Sequence, residues 1–310
     1  MVVRGRFSSR LKSCVRLCLV LILLSLFAWV GFGSDEVVRF GLITDTHAHD
    51  LDSPLEGKWM SHTAERVTAF AEAMNAWSPD FVVELGDFIN GWVVLGAEPG
   101  DPARIPDVLA WADGLYDQFE GPSYHVIGNH DLYNLDKPQY LEILGMDDTS
   151  YSFDVGDYHF VVLDVQFAAD GTPLKNTFTG IAGFVPEPKL EWLRADLAGA
   201  NSPTIIYVHQ PLDESQEEIE AWGRPTVLNQ DALQDLFVQD GDVIAVLQGH
   251  EHANEHQLIN GIHYITFEAM VDQGTPATWA QVTLDPQARS IVIDGIGVQA
   301  SYQLSYPSRD

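Results

Sequence analysis

Five apolar runs in this 310-residue chain stop at side chains that can ligate a metal. Val37 to Thr44 ends in Asp45-Thr46-His47, Phe81 to Val83 leads to Gly86-Asp87, and Tyr124 to Ile127 ends in Gly128-Asn129-His130-Asp131. Thr204 to Val208 ends in His209, and Val243 to Leu247 leads to Gly249-His250-Glu251-His252. Short apolar runs of this kind read as buried strands. In an open α/β sheet, sites assemble in the crevice beyond the carboxyl ends of the strands. Asp45, His47, Asp87, Asn129, His209, His250 and His252, delivered there together, suit a pair of divalent cations, and Asp87 from the middle run is placed to bridge them. Carboxylate, imidazole and amide donors without a thiolate favour manganese, iron, zinc or cobalt.

The ordered set Asp45-x-His47, Gly86-Asp87, Gly128-Asn129-His130-Asp131, His209 and Gly249-His250-x-His252 resembles the motifs of the calcineurin-like metallophosphoesterases, over roughly Phe40 to His252. One such motif alone carries little information; five in order, each at a strand end, are specific. The resemblance implies that Asp45, His47, Asp87 and His252 hold one metal, and Asp87, Asn129, His209 and His250 the other. It implies attack by a hydroxide shared between the metals, whose water has its pKa lowered towards neutrality. It also makes His130 the acid that protonates the leaving oxygen. Asp131, the next residue, is expected to orient His130 through a hydrogen bond. The run Gly128 to Asn134 and Gly249 to His252 further resemble the branch with manganese-dependent nucleotide-diphosphate hydrolases and cyclic-nucleotide phosphodiesterases. That pattern does not separate monoester, diester and pyrophosphate substrates. Lys58 and Lys137 are the first basic residues after the first and third motifs. Metals therefore have to supply most of the phosphate grip, and a small phosphate ester fits better than a polymer.

The surrounding elements must carry these residues to one place. Ala64, Val67, Phe70, Ala71, Met74 and Trp77 recur at helical spacing and make residues 61–77 a helix between the first two runs. That βαβ unit is expected to be parallel and right-handed. Helices are expected over 106–119 and 186–197, the latter with Pro186 in its first turn. Asn229 reads as the N-cap of a helix to Val238, and 214–220 as an acidic surface segment. Gly156-Asp157 and Asn260-Gly261 are hairpin signals, with further strands over 278–284 and 290–294. The sum is an α/β fold of two mixed sheets flanked by helices, the four-layer α/β/β/α sandwich that the resemblance also implies. No boundary is visible inside 35–310.

Residues 1–33 read separately. Arg4, Arg6, Arg10, Lys12 and Arg16 precede an apolar run from Leu17 to Phe32, the pattern of a secretory signal peptide or, if uncleaved, an N-terminal membrane anchor. Export to the periplasm or the extracellular space is the expectation. Without those basic residues the remainder has 11 Lys and Arg against 45 Asp and Glu, a formal −34. A surface of that sign repels long nucleic acid. Both cysteines, Cys14 and Cys18, lie in the leader, so the remainder has neither a disulfide nor a thiolate metal site.

Two other readings stay open. Asp45-Thr46-His47-Ala48-His49 is also similar to the His-x-His strand end of amidohydrolase and TatD-type barrels, with His47 and His49 as paired ligands; a barrel needs eight βα units. A non-catalytic metal-binding scaffold on the sandwich fold is the other. His49 and Asn90, with Trp92 and Tyr133, lie next to motifs and are candidates for substrate contact.

Overall fold

The computed structural model describes residues 36–49, 59–91, 102–175, 182–223, 226–272 and 274–308. The leader 1–33, the loop 50–58 and Trp92 lie outside these residues. The first sheet has the order β12-β11-β10-β1-β2-β3 and the second β4-β5-β6-β7-β9-β8. Their strands are β1 Val38–Ile43, β2 Phe81–Glu84, β3 Ser123–His125, β4 Tyr151–Val155, β5 Tyr158–Val162 and β6 Thr204–Tyr207. They continue with β7 Val243–Gln248, β8 Glu255–Ile259, β9 Ile262–Thr266, β10 Trp279–Asp285, β11 Ser290–Ile296 and β12 Tyr302–Ser305. The helices of four residues or more are α1 Thr63–Trp77, α2 Ile105–Tyr116, α3 Lys137–Leu144, α4 Glu187–Ala200, α5 Gln216–Trp222 and α6 Gln230–Asp240.

In the first sheet β1, β2 and β3 run parallel, and in the second β5, β6, β7 and β9 do. The central strands are buried on both faces, which is why β1, β2, β6 and β7 read as continuous apolar runs. The antiparallel β10 and β11 instead alternate buried and half-buried residues along most of their length. Between the sheets lies an aromatic core in which Phe40 stacks on Phe81 with ring centroids 5.0 Å apart. Phe160 stacks on Tyr207 at 6.0 Å from the other side. The outer face of the first sheet packs on α1, α2 and α3, and that of the second on α4 and α6. The four layers are those of the expected sandwich. A single eight-unit barrel is ruled out, and the amidohydrolase reading with it.

Some local expectations gain detail and some are corrected. The acidic segment 214–220 lies at the surface as expected, and most of it is helix, α5, started by a capping box in which Ser215 and Glu218 each bond the other's backbone N–H. Asn229 stands at the N-cap position of α6 as expected, but its side chain makes no capping bond and pairs instead with both backbone groups of Val185, at 3.0 and 2.9 Å. Pro186 stands at the N-cap position of α4 rather than inside it. By contrast α1 ends as expected at Ser78-Pro79, with Ser78 left-handed (φ 55) and its N–H bonded to Met74.

One ion pair network is buried under the helices. Glu84, the last residue of β2, sits opposite His125 in the β2–β3 register. His125 Nδ1 lies 3.5 Å from Glu84 and Nε2 lies 3.3 Å from Asp113 on α2. Burial alone would lower the His125 pKa, but the carboxylates of Asp113 and Glu84 outweigh it and raise it to about 9. A histidine raised in this way contributes stability that is fully present below its unfolded pKa of about 6.5. The contribution fades as pH climbs through about 9. Wild type should therefore lose up to about 3 kcal/mol more unfolding free energy between pH 6 and 10 than His125→Gln does. Urea denaturation of both chains at the two pH values checks this.

Candidate metal centre

All seven residues singled out as ligands come from loops at the carboxyl ends of β1, β2, β3, β6 and β7. The backbone there is unusual. Asp45, His47, Asp87, His250 and His252 have φ of 50°, 42°, 53°, 73° and 50°. Non-glycine residues rarely adopt this left-handed region, and it costs of order 1–3 kcal/mol each. Five ligand candidates in that conformation mean that each chain turns sharply at the end of its strand to aim a side chain inward. Two glycines make the turns possible. Gly86 has φ +100, and a Cβ there would come 2.5 Å from His209 Nδ1; at Gly249 a Cβ would fall 2.1 Å from Thr44 Oγ1.

Asp45, His47 and His209 are fully buried and Asp87 nearly so. Asp45 Oδ2 accepts from Thr44 Oγ1 (2.6 Å) and from the His250 N–H (2.9 Å). Its Oδ1 is buried without a hydrogen-bond partner, 3.3 Å from His252 Nε2 and 3.6 Å from His47 Nε2. Asp87 Oδ1 accepts from the His130 N–H and faces His209 Nε2 at 3.2 Å, while Oδ2 faces His47 Nε2 at 3.7 Å. The side-chain oxygen of Asn129 is buried and unpartnered as well.

The far nitrogen of each histidine shows what the near one must do. His209 Nδ1 donates to the Leu85 carbonyl (2.9 Å) and His252 Nδ1 to Asp272 (2.8 Å). His47 Nδ1 donates to the amide oxygen of Asn90 (3.1 Å). With Nδ1 carrying the hydrogen, Nε2 is a lone pair aimed at carboxylate oxygens and at other imidazole nitrogens. His47 and His252 approach Nε2 to Nε2 at 3.2 Å, and His209 Nε2 approaches His250 Nδ1 at 3.2 Å. Lone pairs this close repel unless positive charge lies between them. Two clusters of donors meet that description, Asp45 with His47 and His252, and Asp87 with His209 and His250. His130, with His47 and Asp87, forms a third grouping at the boundary. The donor set, hard oxygens and imidazoles fixed by outer hydrogen bonds, fits divalent transition metals.

Electrostatics state the same demand. Burial would raise the acids, but His252 beside Asp45 and His209 beside Asp87 reverse it and hold both carboxyls below the usual range. Burial would lower His209, yet Asp87 drives it up to about 10. His250, buried and next to His209, is pushed down to about 4.

The model of the calcineurin-like phosphoesterase family matches residues 38–254. The chain belongs to this family. It is accordingly a metal-dependent phosphoric ester hydrolase, and its cofactor is a pair of divalent transition-metal ions. Among its relatives is a rice protein (Oryza sativa subsp. japonica) named manganese-dependent ADP-ribose/CDP-alcohol diphosphatase, 25% identical over 77% of this chain and 85% of that protein. The Arabidopsis thaliana protein of the same name is 25% identical over 75% of this chain and 86% of its own length. In fold the phosphoesterase resembles a dimetal phosphatase from Danio rerio, with TM-score 0.68, 20% identity, and coverage of 87% of this chain and 99% of that one. It also resembles GAP50, described as the anchor in the inner membrane complex of Plasmodium, with TM-score 0.54, 16% identity, and coverage of 88% and 90%.

Not every site residue of this phosphoesterase behaves as its sequence suggests. Asp131 does not orient His130. Its carboxylate is taken by three backbone N–H groups, those of Asp87 (3.1 Å), Ile89 (3.0 Å) and Gly128 (2.8 Å). A buried carboxylate beside three free N–H groups satisfies them first, and in doing so it ties the Asp87 loop to the Asn129 loop. The His130 ring is held instead by Asn90, whose amide oxygen accepts from Nδ1 at 2.9 Å as well as from His47. Tyr133 is buried with its ring 4.6 Å from that of His130. His49 is buried and belongs to none of the three donor groups. Asp272 had no motif to mark it. Arg66 fixes the loop that carries it, donating to the carbonyls of Met270, Asp272 and Thr275. Replacing Asn90 by Leu removes the acceptor from two imidazoles at once. Turnover should fall roughly 10–100-fold, with the fold intact by circular dichroism.

Proposed function

We propose that this phosphoesterase cleaves the diphosphate linkage of small nucleoside diphosphate derivatives such as ADP-ribose. In this reading Asp45, His47, Asp87 and His252 hold one cation, and Asp87, Asn129, His209 and His250 the other. The observation that carries it is the straddling Asp87, with one oxygen towards His209 and the other towards His47. The names of the rice and Arabidopsis relatives support manganese and a diphosphate substrate. The basic leader followed by an apolar run supports export.

When bound, the cations supply Lewis acidity, neutralising phosphate oxygens and lowering the pKa of a water. The chain's own residues do the rest. Asp45 and Asp87 set the negative charge of the centre. Asn90, by accepting from His130 Nδ1, leaves Nε2 as the nitrogen that holds the mobile proton. Nε2 lies 3.9 Å from Asp87 Oδ2, at the edge of the donor cluster. As a water oxygen bonds to phosphorus and the P–O bond to the leaving group breaks, the departing oxygen takes the proton from Nε2. Lys137 does not share in phosphate binding, since its ammonium is buried against Asp164 and over the Phe167 ring.

A panel of ADP-ribose, bis-p-nitrophenyl phosphate and p-nitrophenyl phosphate tests the substrate class; preference for p-nitrophenyl phosphate over ADP-ribose would sink it. His130→Ala should lower kcat on ADP-ribose by roughly 10²–10⁴-fold while manganese content, read by plasma mass spectrometry, stays at the wild-type level. Asp87→Asn should lose metal as well as activity.

A further inference from the structure

Apart from the candidate ligands, the Glu84 carboxylate is one of the fully buried charges among the described residues. It is fully buried at the end of the strand that delivers Asp87. It points under α2 and α3, on the same face of the sheet as Val82, and away from the aromatic core between the sheets. Glu84 Oε1 accepts the Gly86 N–H at 2.6 Å. Behind it, His125 and then Asp113 continue the line outward at 3.5 and 3.3 Å. Asp113 opens on a cavity of about 420 Å³, which Asp117, Tyr124, His125 and Tyr151 also line.

The turn after β2 thus has its backbone N–H groups captured by two buried carboxylates. Gly86 goes to Glu84, while Asp87 and Ile89 go to Asp131. Gly86 is where the chain takes φ +100 with its backbone against the His209 ring. A shift of this turn moves both oxygens of Asp87. The sheet face that Glu84 shares with Val82 is otherwise apolar, and Phe88 and Tyr116 pack against the His125 ring beside it. The acid therefore serves the turn and not the core, and it needs a counter-charge to remain ionised where it is. His125 between two carboxylates is that counter-charge.

We propose that Asp113, His125 and Glu84 form a positioning relay that holds the Gly86 turn, and hence the two-sided presentation of Asp87 to the metal pair. The proposal rests on the metal-site reading above. His125 carries a proton on each nitrogen, one facing each carboxylate. Glu84 stays ionised and fixes Gly86. None of the three touches substrate.

The test uses the full-length chain titrated with manganese, followed by calorimetry and by electron paramagnetic resonance of the exchange-coupled pair. Glu84→Met, which keeps bulk but has no acceptor for Gly86, should weaken manganese binding about 10–100-fold and alter the coupled spectrum. Glu84→Gln should rescue both to within about threefold, because its amide oxygen still accepts from Gly86 while its NH₂ faces a now neutral His125. A second measurement needs no variant: ¹⁵N spectra of the magnesium-loaded wild type should show His125 as imidazolium at pH 7. A neutral His125 at that pH overturns the relay, as does a folded Glu84→Met with wild-type affinity and spectrum. A wild-type chain that takes up no manganese pair overturns the metal-site reading itself, whereas the other two results leave that reading standing.

Discussion

Carboxylates and bare imidazole nitrogens gathered within a few ångströms, away from water, repel one another unless positive charge lies among them. That constraint governs the structure around Asp45 and Asp87. Three of the four imidazoles have a hydrogen committed to an outer acceptor, Leu85 for His209, Asp272 for His252 and Asn90 for His47. With Nδ1–H bonded outward, the inward Nε2 of each of these rings either takes a second proton or offers its lone pair to a cation. The outer acceptors therefore do as much as the ligands to define what the centre accepts. They fix the tautomers, and the tautomers leave the lone pairs that divalent cations take.

Holding such a cluster demands a rigid frame, because each donor would relax away from its neighbours if its backbone allowed. The two sheets provide that frame by ending several parallel strands at one rim. The left-handed turns at Asp45, His47, Asp87, His250 and His252 then aim side chains back over the strand ends. Strain of this kind persists only where surrounding hydrogen bonds over-determine the backbone. Asp131 and Glu84 supply several of those bonds from beneath the site, taking N–H groups of the Gly86 to Ile89 turn that no strand partner reaches. Two carboxylates with no contact to the metal cluster thus act on it through the main chain.

The fold and the gathering of the candidate ligands at one rim were legible in the sequence because both depend on local patterns. Continuous apolar runs mark strands buried on both faces, and the ligands follow them directly, so position along the chain reveals position in space. What escaped notice depends on pairings between distant segments. Asp272 reaches His252 from a loop that no periodicity marks. Asp131 stands beside His130 in sequence but answers to N–H groups from another strand end, so adjacency misled where competition for donors decided. Asn229 takes the N-cap position, but its side chain is diverted for the same reason, since the Val185 backbone offers it two hydrogen bonds at once. The helix over 216–222 was readable from its Ser215-x-x-Glu218 box, a signal that the reading of 214–220 as an acidic surface segment did not use.

The charge of the molecule sharpens what the metals must do. Phosphate binding in proteins commonly draws on arginine or lysine. Here Lys137 is committed to Asp164, and Arg66 is spent on three carbonyls of the loop that carries Asp272. The long-range field of a chain with 45 acids and 16 bases opposes the approach of any polyanion. A compact substrate whose phosphates reach the cations directly escapes most of that repulsion, because attraction at contact distance outweighs a screened field acting over a Debye length of about 8 Å. A long nucleic acid would have its flanking phosphates held against a net acidic surface. With Lys137 and Arg66 committed inside the fold, the phosphate grip at this centre falls to the cations.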